Sequence, residues 1–433
     1  MTKTIIIGAG LTGLSIAFKL SSMDNNLILL EKENYEGGHV FSTNLGNFHI
    51  DLGPHIFRSK EEAVMKFVKE LLNFNFINIE SKPRIFKYGK IFENVIPVIP
   101  KKNIDMLSKI KNITYTFKKV ESQTGNNFEE IMINWIGYDL YWEFFGEYSE
   151  KWWGLKGKLL DPVLVPKALY IGDKPTYSHY TVNSGYTEEI YPKDGGFMTI
   201  ARALAQNVFK RNVKKEYNKK VTHFENKDLQ MILTIRDSNN VEKEIVADKV
   251  YYTGSLGTLI SDMKVNINLN YRGIIFGGFL FRGNTQFEKY SWLYLHEKRL
   301  LAARVYDAKY YHPQLRNSEC TAIVIEIPSN PNDGKWEFAD KICDKAFEEL
   351  VGEGLIKLST NSFKGDIVNK VTIRDPYSYP LFKLDYKNEY NRLVKFLSEK
   401  FPKLRLEGRN AKFEYLNSNN IIEKYIFSDY LVN

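Results

Sequence analysis

The sequence predicts an α/β fold, and three observations predict it. A β-branched run, Thr4-Ile5-Ile6-Ile7, stands near the N-terminus. A glycine-rich turn and a helically spaced segment follow it. A second apolar run, Leu27-Ile28-Leu29-Leu30, then ends in an acid, Glu31. Strands buried on both faces are apolar at every position, so the two runs read as parallel neighbours joined by a helix.

The turn is Gly8-Ala9-Gly10-Leu11-Thr12-Gly13, the pattern G-x-G-x-x-G. Gly8 permits the tight turn, Gly10 lets backbone approach a pyrophosphate, and Gly13 lets the helix pack closely on the strand. The helix that follows has apolar residues at Leu14, Ala17 and Phe18. Its N-terminus offers free N–H groups and a positive dipole end to phosphates, which places Leu11 and Thr12 among the cofactor contacts. Glu31 stands where an acid accepts hydrogen bonds from ribose hydroxyls, about 20 residues beyond the first glycine. A glycine turn between unrelated elements is the alternative reading. The order strand, glycines, helix, strand, acid argues against it and for a dinucleotide site.

The 433 residues exceed one ordinary domain and suggest two or three. Hydrophobic residues at 43% and charged residues at 26% are ordinary for a folded protein and exclude overall disorder. Aromatics reach 14%, enough to line a large cavity, although core packing accounts for most of them. The net charge of +8 is spread along the chain. No basic block, zinc spacing or helix-turn-helix signal supports a nucleic-acid partner. No apolar stretch reaches a membrane-spanning length of about 18 residues, which leaves only peripheral membrane contact open. The N-terminus lacks the pattern of a secreted leader. Two cysteines, Cys320 and Cys343, argue against a disulfide framework and for a reducing, cytoplasmic setting. No metal site is expected, and oligomeric state is not legible.

NAD and FAD share the first unit, so the residues that separate them come next. After Glu31 stands the pair Gly37-Gly38, then His39, a short strand, and Asp51-Leu52-Gly53-Pro54-His55-Ile56-Phe57. NAD binding demands none of this. It resembles the FAD-dependent amine oxidase superfamily, which includes protoporphyrinogen oxidase-like proteins, carotenoid desaturases and UDP-galactopyranose mutase. The resemblance implies that Gly37 and Gly38 pass the flavin's phosphate and ribityl chain, and that Gly53, Pro54 and His55 approach its ring. The family usually carries Arg or Asn where this chain has His39, so the backbone role stands and a side-chain role does not transfer.

Later segments follow the family's order. Tyr148-Ser149-Glu150-Lys151-Trp152-Trp153-Gly154 resembles its Y-T-x-K-x-W-G segment, and Tyr191 to Phe197 resembles its Y-P-x-G-G turn before a helix, Met198 to Phe209. Asn218 to Tyr252 reads as strands with a polar turn at 237–240. By resemblance Val221 meets the adenine through its backbone. Near the C-terminus, an amphipathic stretch from Tyr390 to Phe401 leads to Gly408-Arg409 and to a last helix opened by Ile421-Ile422. There the resemblance implies cofactor contacts from Gly408, Arg409, Asn417 and Ile422, with backbone donors only, because 416–420 lacks the family's Asp-His stretch.

The fold implied is a Rossmann-like FAD-binding domain assembled from 1–75, 190–260 and 370–433. An α+β substrate-binding domain of 76–189 and 261–369 is inserted into it. Short strands between 268 and 327 would carry the substrate contacts Arg272, Trp292, Tyr294 and Arg304, with Trp153 beside them. Arg offers a planar fork for anions, and Trp or Tyr a stacking face. Cross-strand packing is the bland reading for each.

Three functions compete. An FAD oxidoreductase would take a hydride from an unidentified small molecule, the flavin supplying the chemistry. A UDP-galactopyranose mutase-like isomerase would use reduced FAD on a nucleotide sugar and needs arginines to clamp a diphosphate. There the family's diphosphate Arg falls on Ile275. A non-catalytic FAD-binding protein is suggested only by the Asn-rich stretch 417–420. His55 is the catalytic candidate, as an imidazole that donates, accepts and titrates near neutrality.

Overall fold

The computed structural model describes residues 3–23, 26–96, 98–112, 124–166, 170–171, 188–227, 230–360 and 362–431. Five strands make a parallel sheet in the order Lys214–Glu216, Leu27–Leu30, Thr4–Ile7, Lys249–Tyr252, Leu404–Leu406. Every pairing in it is parallel.

Alternate residues of these strands feed two different cores. Ile6, Leu29 and Tyr251 pack with the helices Leu11–Leu20 and Met198–Phe209, which supply Leu14, Ala17 and Leu204. Ile5, Ile28 and Val250 pack on the other face with the helix Tyr386–Lys400 and with a three-stranded antiparallel sheet. Both faces are covered, which is why the strands Thr4–Ile7 and Leu27–Leu30 are almost wholly apolar. The antiparallel sheet is Lys219–Lys227, Gln230–Asp237 and Glu242–Ala247. Its polar turn is closed by the Asp237 carboxylate, which accepts from Asn239 N at 2.9 Å and Val241 N at 3.0 Å.

A second, eight-stranded sheet is mostly antiparallel. Its centre is the strand Tyr271–Thr285, flanked by Cys320–Ser329 and Ile367–Pro380. The glycines Gly277 and Gly278 let layers close on both of its faces. A Cβ on Gly277 would lie 2.8 Å from Cys343 Sγ in the helix Ala339–Gly352, and one on Gly278 would lie 2.7 Å from Ile50 Cδ1 in a hairpin. Trp292–Leu295 pairs in parallel with Pro83–Lys87, which tethers the early part of the chain to this sheet.

The expected strands at 4–7 and 27–30 and the helix at 198–209 form with those bounds. The C-terminal amphipathic helix starts four residues earlier than its apolar pattern, at Tyr386. The last helix is a five-residue segment, Ser418–Ile422, that continues as a π-helical turn, Glu423–Phe427. The long strand Ile367–Pro380 was not expected. It mixes half-buried and exposed positions and so lacks a clean two-residue period.

Candidate active site: a glycine cradle and an aromatic wall

The cradle is built at the end of the parallel sheet. Gly8 has φ +106°, a conformation that favours glycine. A Cβ on Gly13 would stand 1.8 Å from Gly8 O, so helix and strand touch backbone to backbone. Gly10 caps the helix Leu11–Leu20 with no side-chain hydrogen bond, which leaves the first-turn N–H groups open. Gly37 N donates to Ala9 O at 2.9 Å, bringing the second glycine pair alongside the first turn. From the far end of the chain, Gly408 closes on the same helix end, where a Cβ would meet Thr12 Oγ1 at 2.6 Å.

Glu31 ties the cradle together. Its carboxylate accepts from Ala9 N at 2.7 Å and Glu33 N at 3.0 Å. Burial pushes its pKa up, and those two backbone hydrogen bonds partly oppose the shift. Each oxygen still has a lone pair for a hydroxyl. Val221 sits just beyond, 7% exposed, on the strand whose Lys219 N donates to Glu31 O at 2.8 Å.

The turn 51–55 is anchored by Asp51. Its carboxylate accepts from Ser42 Oγ at 2.5 Å, Tyr191 Oη at 2.8 Å and Phe197 N at 3.0 Å. Burial pushes its pKa up to about 6 despite these bonds. Gly53, at φ +91°, lies against the Arg304 and Glu326 side chains, where a Cβ would be 3.1 Å from Arg304 Nη2. Pro54 leads to His55, whose ring stacks on Phe197 at 4.9 Å. His55 Nδ1 is buried without a partner. Burial, reinforced by the positive Arg304 and Arg409, pushes its pKa down to about 3. The titration near neutrality expected of this imidazole is therefore not available, and His55 is a neutral donor and acceptor.

Beside this turn stands an aromatic wall, reached through Arg304. Trp152 and Trp153 meet Tyr379 edge-on at 5.6 and 5.9 Å. Tyr148 stacks on His296 at 4.1 Å and meets Tyr294 edge-on at 5.9 Å, and Tyr294 meets Trp292 at 6.1 Å. Lys151 of the same motif donates to Leu295 O and Glu297 O, both at 2.9 Å, and locks its helix to this strand.

The arginines divide into used and unused. Arg304 grips Glu326 bidentately, Nε to Oε1 at 2.6 Å and Nη2 to Oε2 at 2.7 Å, with its guanidinium 5.1 Å from the Trp152 ring. Arg272, also expected at the substrate, is buried. Its Nε donates to Trp152 O at 2.8 Å and its Nη2 to Lys151 O at 3.4 Å, which satisfies carbonyls at the end of the helix Glu147–Trp153. Arg409 lies between Tyr379 and Tyr415, 4.9 and 4.7 Å from the ring centres, and its Nε and Nη2 are buried without partners.

Asn417 and Asn420 form a capping box, which gives the Asn-rich stretch a structural explanation. The side chain of Ile422 is fully buried in the core. The site residues that sequence reasoning missed are Glu326, Asp375, Tyr379 and Asn410. Glu326 carried a signal, a lone acid inside the apolar run Thr321 to Ile327.

A family model described as an NAD(P)-binding Rossmann-like domain matches residues 6–71. The dTDP-fucopyranose mutase of Escherichia coli is 29% identical over 238 residues, which is 51% of this chain and 58% of that protein. The chain spans about half the length of the curated relatives it matches. A crystal structure of reduced UDP-galactopyranose mutase superposes on 100% of this chain and 96% of its own, with a TM-score of 0.76 and 18% identity. A protein from Exiguobacterium sp. 255-15 assigned as a protoporphyrinogen oxidase superposes on 98% of this chain and 97% of its own, with a TM-score of 0.69 and 11% identity. At such identities the two structures speak to fold alone. The chain therefore carries a Rossmann-like domain, and its homologues and structural neighbours are UDP-galactopyranose mutases, protoporphyrinogen oxidase-like proteins and L-amino-acid oxidases of one flavoprotein superfamily.

Proposed function

We propose that the chain is an FAD-dependent oxidoreductase acting on a small molecule held between the cradle and the aromatic wall. The residues fit the cofactor. Gly8, Gly10, Leu11, Thr12 and Gly13 would hold its pyrophosphate, Glu31 a ribose, and Val221 the adenine. Gly37, Gly38, Gly53, Pro54, His55, Gly408, Arg409, Asn417 and Ile422 would surround the flavin half. The buried, unpartnered atoms His55 Nδ1, Arg409 Nε and Nη2, and Asn410 Oδ1 are the donors and acceptor that a polar ligand would satisfy. Bound flavin supplies the hydride acceptor.

The chain's own groups do the rest. His55 stays neutral and fixes an orientation without adding charge. Trp152, Trp153, Trp292, Tyr294 and Tyr379 exclude water. Glu326 neutralises Arg304, so the wall carries little net charge. The domain division 1–75, 190–260 and 370–433 against 76–189 and 261–369 is part of the same proposal. It is supported by the parallel sheet, whose five strands all come from the first set, but the strand Ile367–Pro380 belongs to the eight-stranded sheet and moves 370–380 to the other side. The free cysteines Cys320 and Cys343 support a reducing, cytoplasmic setting.

One observation carries the redox reading over the isomerase. Arg304 has its fork filled by Glu326, and Arg272 spends its Nε and Nη2 on a helix end. A nucleotide-sugar diphosphate needs free guanidiniums in pairs. The mutase reading is favoured instead by the 29% identity to the dTDP-fucopyranose mutase of Escherichia coli. One experiment separates them. UDP- and dTDP-sugars are titrated against the oxidised and the dithionite-reduced protein. No binding in either state is expected. Tighter binding to the reduced form with an isomerised product would overturn the oxidoreductase.

A further inference from the structure

A chain of three hydrogen-bonded side chains runs through the wall of the cradle. Asp375 Oδ2 lies 2.8 Å from His39 Nδ1. The same carboxylate accepts from Tyr377 N at 3.0 Å and Ser378 Oγ at 2.8 Å. Burial pushes its pKa up, but His39 and these hydrogen bonds outweigh it and hold the carboxyl below its usual range. On the other side of the ring, Asn410 Nδ2 lies 2.7 Å from His39 Nε2 and 3.2 Å from Tyr377 O.

The chemistry of the partners fixes the orientation. A backbone carbonyl only accepts, so the amide NH2 of Asn410 must face Tyr377 O. Its second hydrogen then goes to His39 Nε2, which must be an acceptor. The ring proton therefore sits on Nδ1, facing Asp375. Both amide hydrogens are spent. What is left over is Asn410 Oδ1, which is buried and has no partner. The residue is 7% exposed, and its backbone oxygen is held by Tyr271 Oη at 2.7 Å.

The two ends of this unit belong to the cradle. His39 follows Gly38, whose Cβ position is 3.3 Å from Gly10 Cα, and Asn410 follows Gly408, which lies against Thr12. An arginine at position 39 would have only donors and could not accept from Asn410.

We propose that Asp375, His39 and Asn410 act as one positioning unit, presenting Asn410 Oδ1 as a fixed acceptor to an O–H or N–H donor of the dinucleotide in the cradle. This rests on the FAD reading above. An unpaired buried acceptor is costly, and a ligand donor offsets that cost.

Titration of the apo protein with FAD, followed by flavin fluorescence, tests it. Asn410→Leu removes the acceptor and raises the Kd for FAD roughly three- to tenfold. His39→Phe raises it to a similar degree, and the double variant is no worse than either single one, because each removes the same contact. His39→Gln, whose side-chain oxygen can accept from Asn410 Nδ2, restores the wild-type Kd. If Asn410→Leu does not fold, Asn410→Ser tests the same loss. An unchanged Kd in Asn410→Leu, or single effects that add in the double variant, overturns the positioning unit and leaves the FAD reading standing. Wild-type protein that takes up no FAD overturns both. ADP as a second probe places the donor. A parallel loss of ADP affinity in Asn410→Leu puts it on the adenosine half, and an unchanged one on the flavin half.

Discussion

At the cradle, Gly8, Gly10 and Gly13 fall in one short turn and act through backbone. At the wall, Trp152, Arg304, Glu326 and Tyr379 each come from a different element and act through side chains. The cradle depends on side chains being absent where helix, strand and ligand must approach. The wall depends on charges being paired, and its strongest donor fork is already occupied. Under the proposed function, the site would hold one ligand with positions that are nearly all backbone and face another with groups whose availability depends on distant partners.

The largest effect should come from breaking the pairing in the wall. Glu326→Ala leaves Arg304 buried without its carboxylate and should cost about 3–5 kcal/mol, read from urea unfolding. A cost near zero would mean that Arg304 is free to bind an anion, which would revive the clamp that the mutase reading needs.

Within the cradle, two glycines should separate. Gly13→Ala places a Cβ 1.8 Å from Gly8 O and should destabilise the apo protein by about 2 kcal/mol or more. Gly10→Val should leave apo stability near wild type, since a Cβ there stands 3.8 Å from its nearest neighbour, Gly37 O, yet abolish FAD retention. Equal losses of stability in both variants would show that Gly10 is a packing glycine too.

A pH profile probes the anchor between the two regions. Asp51, and the buried Asp307 whose carboxylate accepts from Thr285 Oγ1, have pKa values pushed up to about 6 by burial, above an unfolded value of about 4. The folded state then binds more protons than the unfolded one in this window, so stability should fall as pH rises from about 4 to about 6. Asp51→Asn should flatten part of that slope in chemical denaturation. An unchanged slope would show that Asp51 does not hold its proton in the folded state.

The smallest effect belongs to Arg272. Arg272→Met leaves two helix-end carbonyls without their donor and should cost about 1 kcal/mol, with FAD binding unchanged. A loss of substrate turnover without a loss of stability would return Arg272 to the substrate site.

Much of the cradle was legible because its parts are local. The turn geometry of Gly8, the close approach at Gly13 and the acid at Glu31 all lie on one strand–helix–strand unit, where spacing reports structure directly. The wall was legible only as composition. Trp152, Trp292 and Tyr294 could be named as aromatic candidates, but nothing near Arg272 in the chain says that it caps the helix ending at Trp153, more than 100 residues away. His55 could be named as a candidate, but its charge state was not readable, because the burial that keeps it neutral, reinforced by Arg304 and Arg409, is made by residues remote in sequence.

By itself the sequence determined the α/β class, the parallel strands, and the glycine turn and its acid. Apolar periodicity and glycine spacing encode these locally. The tertiary structure alone decided which arginine keeps an open fork, which histidine is neutral and which way the Asn410 amide points. Desolvation and pairing depend on partners brought together by folding, and no spacing along the chain records them.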